Sequence, residues 1–253
     1  MTASTVLGID FGGSGIKGAP VHLRKGALTE SRFRIETPNP SSPDACAAVI
    51  AEIAAKFAPV VGTDSAIGIT YPGVVRAGTT LTAANVDTRW IGLDADAFLE
   101  EKLKRRVTVL NDAQAAVLAE VRHGAGKGSK GLVLMLTFGT GIGSGLAYNG
   151  VALPGVELGH LRMNGVDAEK IASASVKDVQ KLSWKAWSER VNEYLDRIER
   201  ILWPELIIVG GGVSEKPDKF IPQLKTRATI VPALLGNGAG IVGAAIAASQ
   251  ARP

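Results

Sequence analysis

The chain has 253 residues, 46% of them apolar, and 28 Lys and Arg against 24 Asp and Glu give a formal charge of +4. That length favours two compact lobes of about a hundred residues each over one large domain. The mild, scattered charge suits a soluble enzyme with an anionic ligand and argues against a nucleic-acid binder, which carries a clustered basic stripe.

Other classes fall on local grounds. No run reaches the ~18 apolar residues of a membrane span, and the first residues, Met1 to Leu7, lack the basic start and apolar run of a leader. Cys46 is the single cysteine, so a disulfide within the chain and a cysteine-built zinc cage are both out. A cytoplasmic protein, with no membrane or nucleic-acid partner and no zinc, is the expectation.

In chain order, Val6 to Ile9 reads as a strand ending at Asp10, followed by the glycine turn Phe11-Gly-Gly-Ser-Gly15. Ile16 to Leu23 and Ser31 to Glu36 read as further strands, so the chain opens as a hairpin meander with no helix after the first glycine turn. The Pro-rich loop at 38–43 leads to an Ala-rich helix that Ser42 or Asp44 can cap and that runs to about Ala58. Ser65 to Thr70 is a strand stopped by Pro72-Gly73, Asp96 to Lys104 a helix, Val107 to Leu110 a strand, and Asp112 to Arg122 a helix. Lys102, Lys104, Arg105 and Arg106 read as a solvated helix end.

The glycine and lysine turn Gly124 to Gly131 marks a lobe boundary. The expected division is 1–123 for the first lobe and 124–238 for the second, with the C-terminal segment 239–253 a candidate to rejoin the first. Strands follow at Leu132 to Leu136 and Ser144 to Tyr148, around a second glycine turn, Phe138-Gly-Thr-Gly-Ile-Gly143. Val191, Tyr194, Leu195, Ile198 and Leu202 recur at helical spacing, with Trp184 and Trp187 as core packing for that helix. Leu206 to Val209 is a strand feeding Gly210-Gly-Gly212, and Ala239 to Ala248 a small-residue helix.

Setting the stretch Ile9 to Gly18 beside Leu136 to Gly145 repeats strand, Phe-Gly, glycine turn and strand at half the chain length, which predicts a duplicated fold. The first turn also satisfies Gly13-x-Gly15-x-x-Gly18, but a dinucleotide site needs a helix there, and Ile16 to Leu23 alternates as a strand. No Gly-x4-Gly-Lys-[Ser/Thr] occurs, which excludes a P-loop kinase. A hairpin whose backbone N–H groups cradle phosphate, with Asp10 acting through Mg2+, uses both the glycines and the carboxylate. Asn111-Asp112 either caps its helix or offers a carboxylate that takes the proton of an attacking hydroxyl. Glu157-x-x-His160 and Glu169 supply the hydrogen-bonding groups that a polyhydroxyl ligand needs. His22 and His123 read as surface residues.

Taken together, Asp10 to Lys17, Asn111-Asp112-Ala113, Leu136 to Gly143, Glu157-Leu-Gly-His160 and Gly210-Gly-Gly212 resemble the ROK family of sugar kinases and repressors. Within it, Thr70-Tyr-Pro-Gly-Val74, Ala84-Asn-Val-Asp87 and Trp90-Ile-Gly92 are most similar to bacterial polyphosphate glucokinases. The resemblance implies an α/β, actin-like (ribonuclease H-like) duplicated ATPase fold of two lobes around a central cleft. It implies a glucokinase drawing on polyphosphate, ATP or both with Mg2+, with glucose as acceptor, mannose as a second sugar, and a homodimer as the assembly. Asp112 would be the general base, and Asn85, Asn111, Glu157, His160 and Glu169 the glucose ligands. The donor phosphates would lie along Asp10, Gly12, Gly13, Ser14, Gly15 and Lys17 and along Gly139, Thr140 and Gly141. Gly211 and Gly212 match the place where related kinases hold adenosine. The cysteine cluster that many members carry after the Glu-x-x-His motif is replaced here by Asn164 to Glu169. An ATP-only hexose kinase is the alternative activity; a sugar-sensing regulator would need a DNA-binding segment before the strand that begins at Val6.

Overall fold

The structure, a computed structural model, describes residues 5–251. Residues 1–4, the start of the Met1 to Leu7 stretch expected not to be a leader, and 252–253, the end of the C-terminal segment, lie outside the described residues. The chain divides into two compact units, one made of residues up to Ala119 and from Gly238 on, the other of Glu120–Asn237. The first crossing therefore falls inside a helix, a few residues before the glycine turn expected to mark it.

In the first unit β1 (Thr5–Phe11) and β2 (Ile16–His22) form an antiparallel hairpin that pairs Asp10 with Lys17 and Phe11 with Ile16. The strand reading of residues 16–22 is correct, and it removes the dinucleotide fingerprint for lack of a helix. Two short strands, β3 (Ala27–Leu28) and β4 (Phe33–Ile35), both lie against β2. On the other side β5 (Ile67–Tyr71) runs parallel to β1, after the small ribbon β6 (Val75–Arg76) and β7 (Thr79–Thr80), β8 (Val107–Asn111) runs parallel to β5. The sheet order is β3-β2-β1-β5-β8.

Helix α1 (Pro43–Val61) starts where Ser42 Oγ accepts the Ala45 N–H at 3.3 Å. Its buried residues Cys46, Ile50, Ile53, Ala54 and Phe57 recur at helical spacing and face the sheet. Each buried Ile or Phe contributes about 1.5–3 kcal/mol, so this stripe, and not propensity, holds the helix in place. Burial also pushes the Cys46 thiol up to about 12, which keeps it neutral and unreactive. Helix α2 (Ala95–Leu103) is capped by Asp94. The basic knot at its end is put to structural use: Lys102 pairs with Asp44 at 2.7 Å, and Arg105 donates to the carbonyls of Ser65 and Gly62. Helix α3 (Asp112–His123) follows β8 directly.

The second unit repeats the plan. β9 (Leu132–Phe138) and β10 (Ile142–Tyr148) form a hairpin edged by β11 (Val151–Leu153), while β14 (Leu206–Gly210) runs parallel to β9 and β15 (Thr229–Pro232) parallel to β14. Between them lie the ribbon β12 (Arg162–Met163) and β13 (Val166–Asp167) and the short helices α4 (Glu169–Ala172) and α5 (Ala174–Val179). The order β11-β10-β9-β14-β15 follows the path β3-β2-β1-β5-β8 of the first sheet, in which β4 is extra, and β9 has the same burial pattern as β1, a run of four buried residues between half-buried ones. The duplication read from the two glycine turns thus extends to five strands of each sheet.

Helix α6 (Trp184–Ile201) buries Trp187, Val191, Tyr194, Leu195 and Ile198 against this sheet. Trp187 is core, as the spacing implies, whereas Trp184 is only half buried. The C-terminal helix α7 (Ala239–Gln250) belongs to the first unit and packs on β1 and β5. Glycine makes that approach feasible: a Cβ on Gly8 would strike the Ile241 carbonyl, and one on Gly68 the Ala244 carbonyl. His22 and His123, expected at the surface, are half buried. Among the described residues no helix is long and apolar enough to cross a membrane.

Candidate active site

The predicted site residues gather into two groups, one in each unit. In the first, Asp10, Thr70 and Asn111 sit at the C-terminal ends of three adjacent parallel strands, the end of an α/β sheet where ligands bind. Asp10 Oδ1 accepts the Thr70 hydroxyl at 2.9 Å, Thr70 Oγ1 accepts the Phe11 N–H at 3.1 Å, and Lys17 Nζ stands 3.4 Å from Asp10 Oδ2. The carboxylate is therefore oriented before any ligand arrives. Thr70 was missed in the sequence reading because a Thr at a strand end carries no signal of its own; the parallel register with Asp10 supplies it.

The first glycine turn is held from inside through its carbonyls. Gly12 N–H donates to Gly15 O at 3.1 Å, Thr37 Oγ1 to Gly12 O at 2.6 Å, and Arg34 Nη2 to Ser14 O at 2.7 Å. Among the described residues none accepts from the N–H groups of Gly13 or Ser14, and both residues are exposed, which leaves two donors for an anion, while Gly15 is buried. The loop carrying Asn85 comes up to this turn: a Cβ on Gly13 would meet Asn85 O at 3.2 Å. That loop is fastened by Ser41, which accepts the Asp87 N–H at 3.0 Å through Oγ and the Trp90 indole N–H at 3.0 Å through its carbonyl. Trp90 in turn packs on Phe11 and Tyr71 at centroid distances of 5.5 and 5.4 Å, so the base of the turn is an aromatic cluster.

At the start of α3 the two neighbours divide their tasks. Asn111 Oδ1 accepts the Gln114 N–H at 3.0 Å, which is the N-cap bond, and its Nδ2 donates to Gly73 O at 3.0 Å. Asp112 is exposed and accepts the adjacent Ala113 N–H at 2.7 Å. Capping therefore falls to Asn111, and one amide N–H of Asn111 is left to offer.

In the second unit, the turn between β9 and β10 closes through Gly139 N–H to Gly141 O at 3.0 Å, with Gly139 and Thr140 exposed. Glu169 stands against it: its Oε2 lies 3.4 Å from the Ile142 N–H, and a Cβ on Gly141 would collide with the carboxylate. Ser144 of β10 donates to Val156 O at 3.1 Å and accepts the Leu158 N–H at 2.7 Å, fastening the loop that carries Glu157. Burial raises the Glu157 carboxyl above its ordinary value, His160 lowers it by a smaller amount, and Glu169 raises it further. Glu157, His160 and Glu169 thus share one neighbourhood. Asp167 joins them: it accepts from Arg162 at 2.9 Å, lies 3.3 Å from His160 Nδ1, and the donor atoms of His160, Asp167 and Glu169 all fall within 4.8 Å of one another. That triad was not foreseen, because Asp167 enters through the hairpin of β12 and β13 and not through any motif.

Gly211, at φ +81°, turns the chain after β14, where any side chain would strike Phe138 O, and Gly212 opens toward a cavity of about 560 Å³. Phe138, Thr140, Lys177, Trp184, Gly212 and Lys216 are among its lining residues. The half-buried Trp184, read as core, therefore also forms a wall. Lys177 Nζ lies 4.4 Å from the centre of the Trp184 ring.

Mg2+ fits the first group. The donors at Asp10 are hard carboxylate and hydroxyl oxygens, partly open to solvent, and Mg2+ binds through one or two carboxylates while keeping waters and substrate phosphates.

Known proteins are similar to this chain over most of its length. The chain is 50% identical over 241 residues to a polyphosphate glucokinase of Mycobacterium tuberculosis strain CDC 1551 / Oshkosh, covering 95% of this chain and 89% of that one. An inorganic polyphosphate/ATP-glucomannokinase from Arthrobacter sp. strain KM superposes with a TM-score of 0.90 at 47% identity, covering 96% of this chain and 97% of that one. A ROK family glucokinase from Streptomyces griseus, solved with glucose and AMPPNP, shares the fold with a TM-score of 0.82 at 24% identity, covering 98% and 100%. These neighbours carry the actin-like ATPase fold that the family resemblance implied. The sequence model of the ROK family matches residues 6–173, which include both glycine turns, Asp112 and the Glu-x-x-His motif, and the chain belongs to the ROK family.

Proposed function

We propose that this chain is a glucokinase that transfers a terminal phosphoryl group from inorganic polyphosphate or ATP to glucose, at the 6-hydroxyl, with mannose as a second acceptor. The observation that carries the reading is 50% identity to a polyphosphate glucokinase over 95% of the chain. The exposed tips of the two glycine turns, Gly13 and Ser14 in one and Gly139 and Thr140 in the other, support it, since backbone N–H groups at such turns suit a phosphate chain.

In this reading Asn85, Asn111, Glu157, His160 and Glu169 hold the sugar hydroxyls, and Asp112 takes the proton of the attacking hydroxyl. As the sugar oxygen bonds to phosphorus, the bond from that phosphorus to its bridging oxygen breaks, and ADP or a polyphosphate shorter by one unit leaves. Gly12, Gly13, Ser14, Gly15 and Lys17, with Gly139, Thr140 and Gly141, cradle the phosphates. Asp10 would hold Mg2+, which when bound neutralises charge on the transferring group. The adenosine of ATP occupies the cavity beside Gly211 and Gly212, against Trp184. Asn111 makes the N-cap bond of α3, and the Asp112 carboxylate beside it is exposed at the start of the helix, which supports this role.

The test is a steady-state comparison of purified protein with glucose and Mg2+, given polyphosphate and then ATP. Glucose 6-phosphate from both donors is the expected product. Turnover with ATP alone would reduce the protein to an ATP-dependent hexose kinase, and turnover with neither would remove the reading.

A further inference from the structure

We propose that Arg34 is a binding residue for the extended chain of polyphosphate, continuing the cationic side of the first glycine turn past Lys17. The inference rests on the donor reading above and adds to it the place where the longer donor is held.

Residues directly opposite in neighbouring strands project from the same face of a sheet. The register pairs Thr70 with Asp10, Asp10 with Lys17, and Lys17 with Arg34, so these four form one row across β5, β1, β2 and β4. The row runs from the carboxylate beside the glycine turn to two cations in succession, with strands about 4.8 Å apart. Lys17 is partly engaged by Asp10 at 3.4 Å. Arg34 is exposed, and no carboxylate pairs with it among the described residues. Its guanidinium is nonetheless fixed: Nη2 donates to Ser14 O at 2.7 Å, and a Cβ on Gly15 would meet Nε at 2.6 Å, so the plane lies on that glycine. One of five N–H donors is taken, which leaves a held planar fork of the kind that binds phosphate oxygens in pairs.

The two donors differ in what lies beyond their reacting phosphates. ATP carries a nucleoside, and the 560 Å³ cavity of the second unit offers it the aromatic walls Phe138 and Trp184. Polyphosphate carries only more anion, and that cavity sets the carboxylates of Asp178 and Glu215 against Lys177 and Lys216, so it offers a polyanion no net positive charge. The Lys17–Arg34 row has no carboxylate after Asp10.

The alternative is that Arg34 only braces the turn. A brace serves both donors equally, so selectivity separates the two roles. Wild type, Arg34→Gln and Arg34→Lys are assayed with glucose and Mg2+ on long-chain polyphosphate, on inorganic triphosphate and on ATP. Expected for Arg34→Gln is a fall of about tenfold or more in the ratio of kcat/KM for long-chain polyphosphate to that for ATP, a smaller fall for triphosphate, partial recovery in Arg34→Lys, and a shallower dependence of the polyphosphate KM on salt. An unchanged ratio overturns the proposal, whether both activities fall together or neither moves. Should wild type not use polyphosphate as a donor, the donor reading fails separately. The row is then judged by inhibition of ATP-dependent turnover by long-chain polyphosphate: weaker inhibition of Arg34→Gln than of wild type sustains it, and equal inhibition overturns it.

Discussion

Asn111 Oδ1 accepts the Gln114 N–H at 3.0 Å, so the residue before Asp112 supplies the cap of α3. The two roles that sequence left open for the pair are thereby separable by mutation.

Asp112→Asn keeps an oxygen for the Ala113 N–H and removes the basic carboxylate. Turnover is expected to fall by roughly 10²- to 10⁴-fold while glucose still binds and Tm moves little. Asn111→Ala shows the opposite emphasis in stability, losing about 1 kcal/mol with the cap. Thermal melts and single-turnover rates on both variants check the division; an Asp112→Asn protein with most of its turnover would return Asp112 to a structural role.

Glu157 is raised by burial, so its carboxylate is poorly hydrated and gains from a hydroxyl partner. Glu157→Gln should lower kcat/KM for glucose by about 10- to 100-fold, the worth of a hydrogen bond to a charged group. A change confined to the donor KM would count against a sugar-binding role.

Asp96 receives the Val109 N–H of β8 at 2.7 Å, and burial pushes its carboxyl up to about 6. A raised carboxyl makes the folded state hold its proton more tightly than the unfolded chain does, so this group favours folding below about pH 4. That contribution is lost as pH rises through about 6. Asp96→Asn keeps the acceptor oxygen and removes the charge. The variant should melt higher than wild type above pH 6, by about 1 kcal/mol after solvent screening is allowed for, with the difference closing toward pH 4. Melting curves across pH 4–8 with a constant difference would contradict this.

Glu120 is fully buried and accepts the N–H groups of Ala125 and Leu235, each at 2.7 Å. Glu120→Ala strands both donors and should cost about 2–4 kcal/mol, read as a lower denaturation midpoint, while Glu120→Gln should recover part of it.

Removal of Mg2+ should stop turnover without lowering Tm. Zinc chelation should leave turnover intact, since His160, Asp167 and Glu169 offer three donors, one short of the four that close a structural zinc site. Stoichiometric zinc lost together with activity would assign the triad to a metal.

Local pattern carried much of this protein. Short apolar runs on either side of Phe-Gly turns were enough for both hairpins, and the absence of a helix after Gly15 disposed of the dinucleotide reading. Ser42 and the apolar spacing of α1 and α6 were equally readable. What local pattern could not reach was short or distant. Helices α4 and α5, of four and six residues, span too few turns to show a period, and β15 is half exposed, so none stood out. Motifs identified Asp10, Asp112, Glu157 and His160, but only strand register made Thr70 the partner of Asp10 and set Arg34 beside Lys17. Only folding brought Asp167 to His160 and gave the cap to Asn111. The physical reason is that periodicity and turn chemistry act between neighbours in the chain, whereas the orientation of a carboxylate depends on hydrogen bonds across strands whose pairing exists only in the folded sheet.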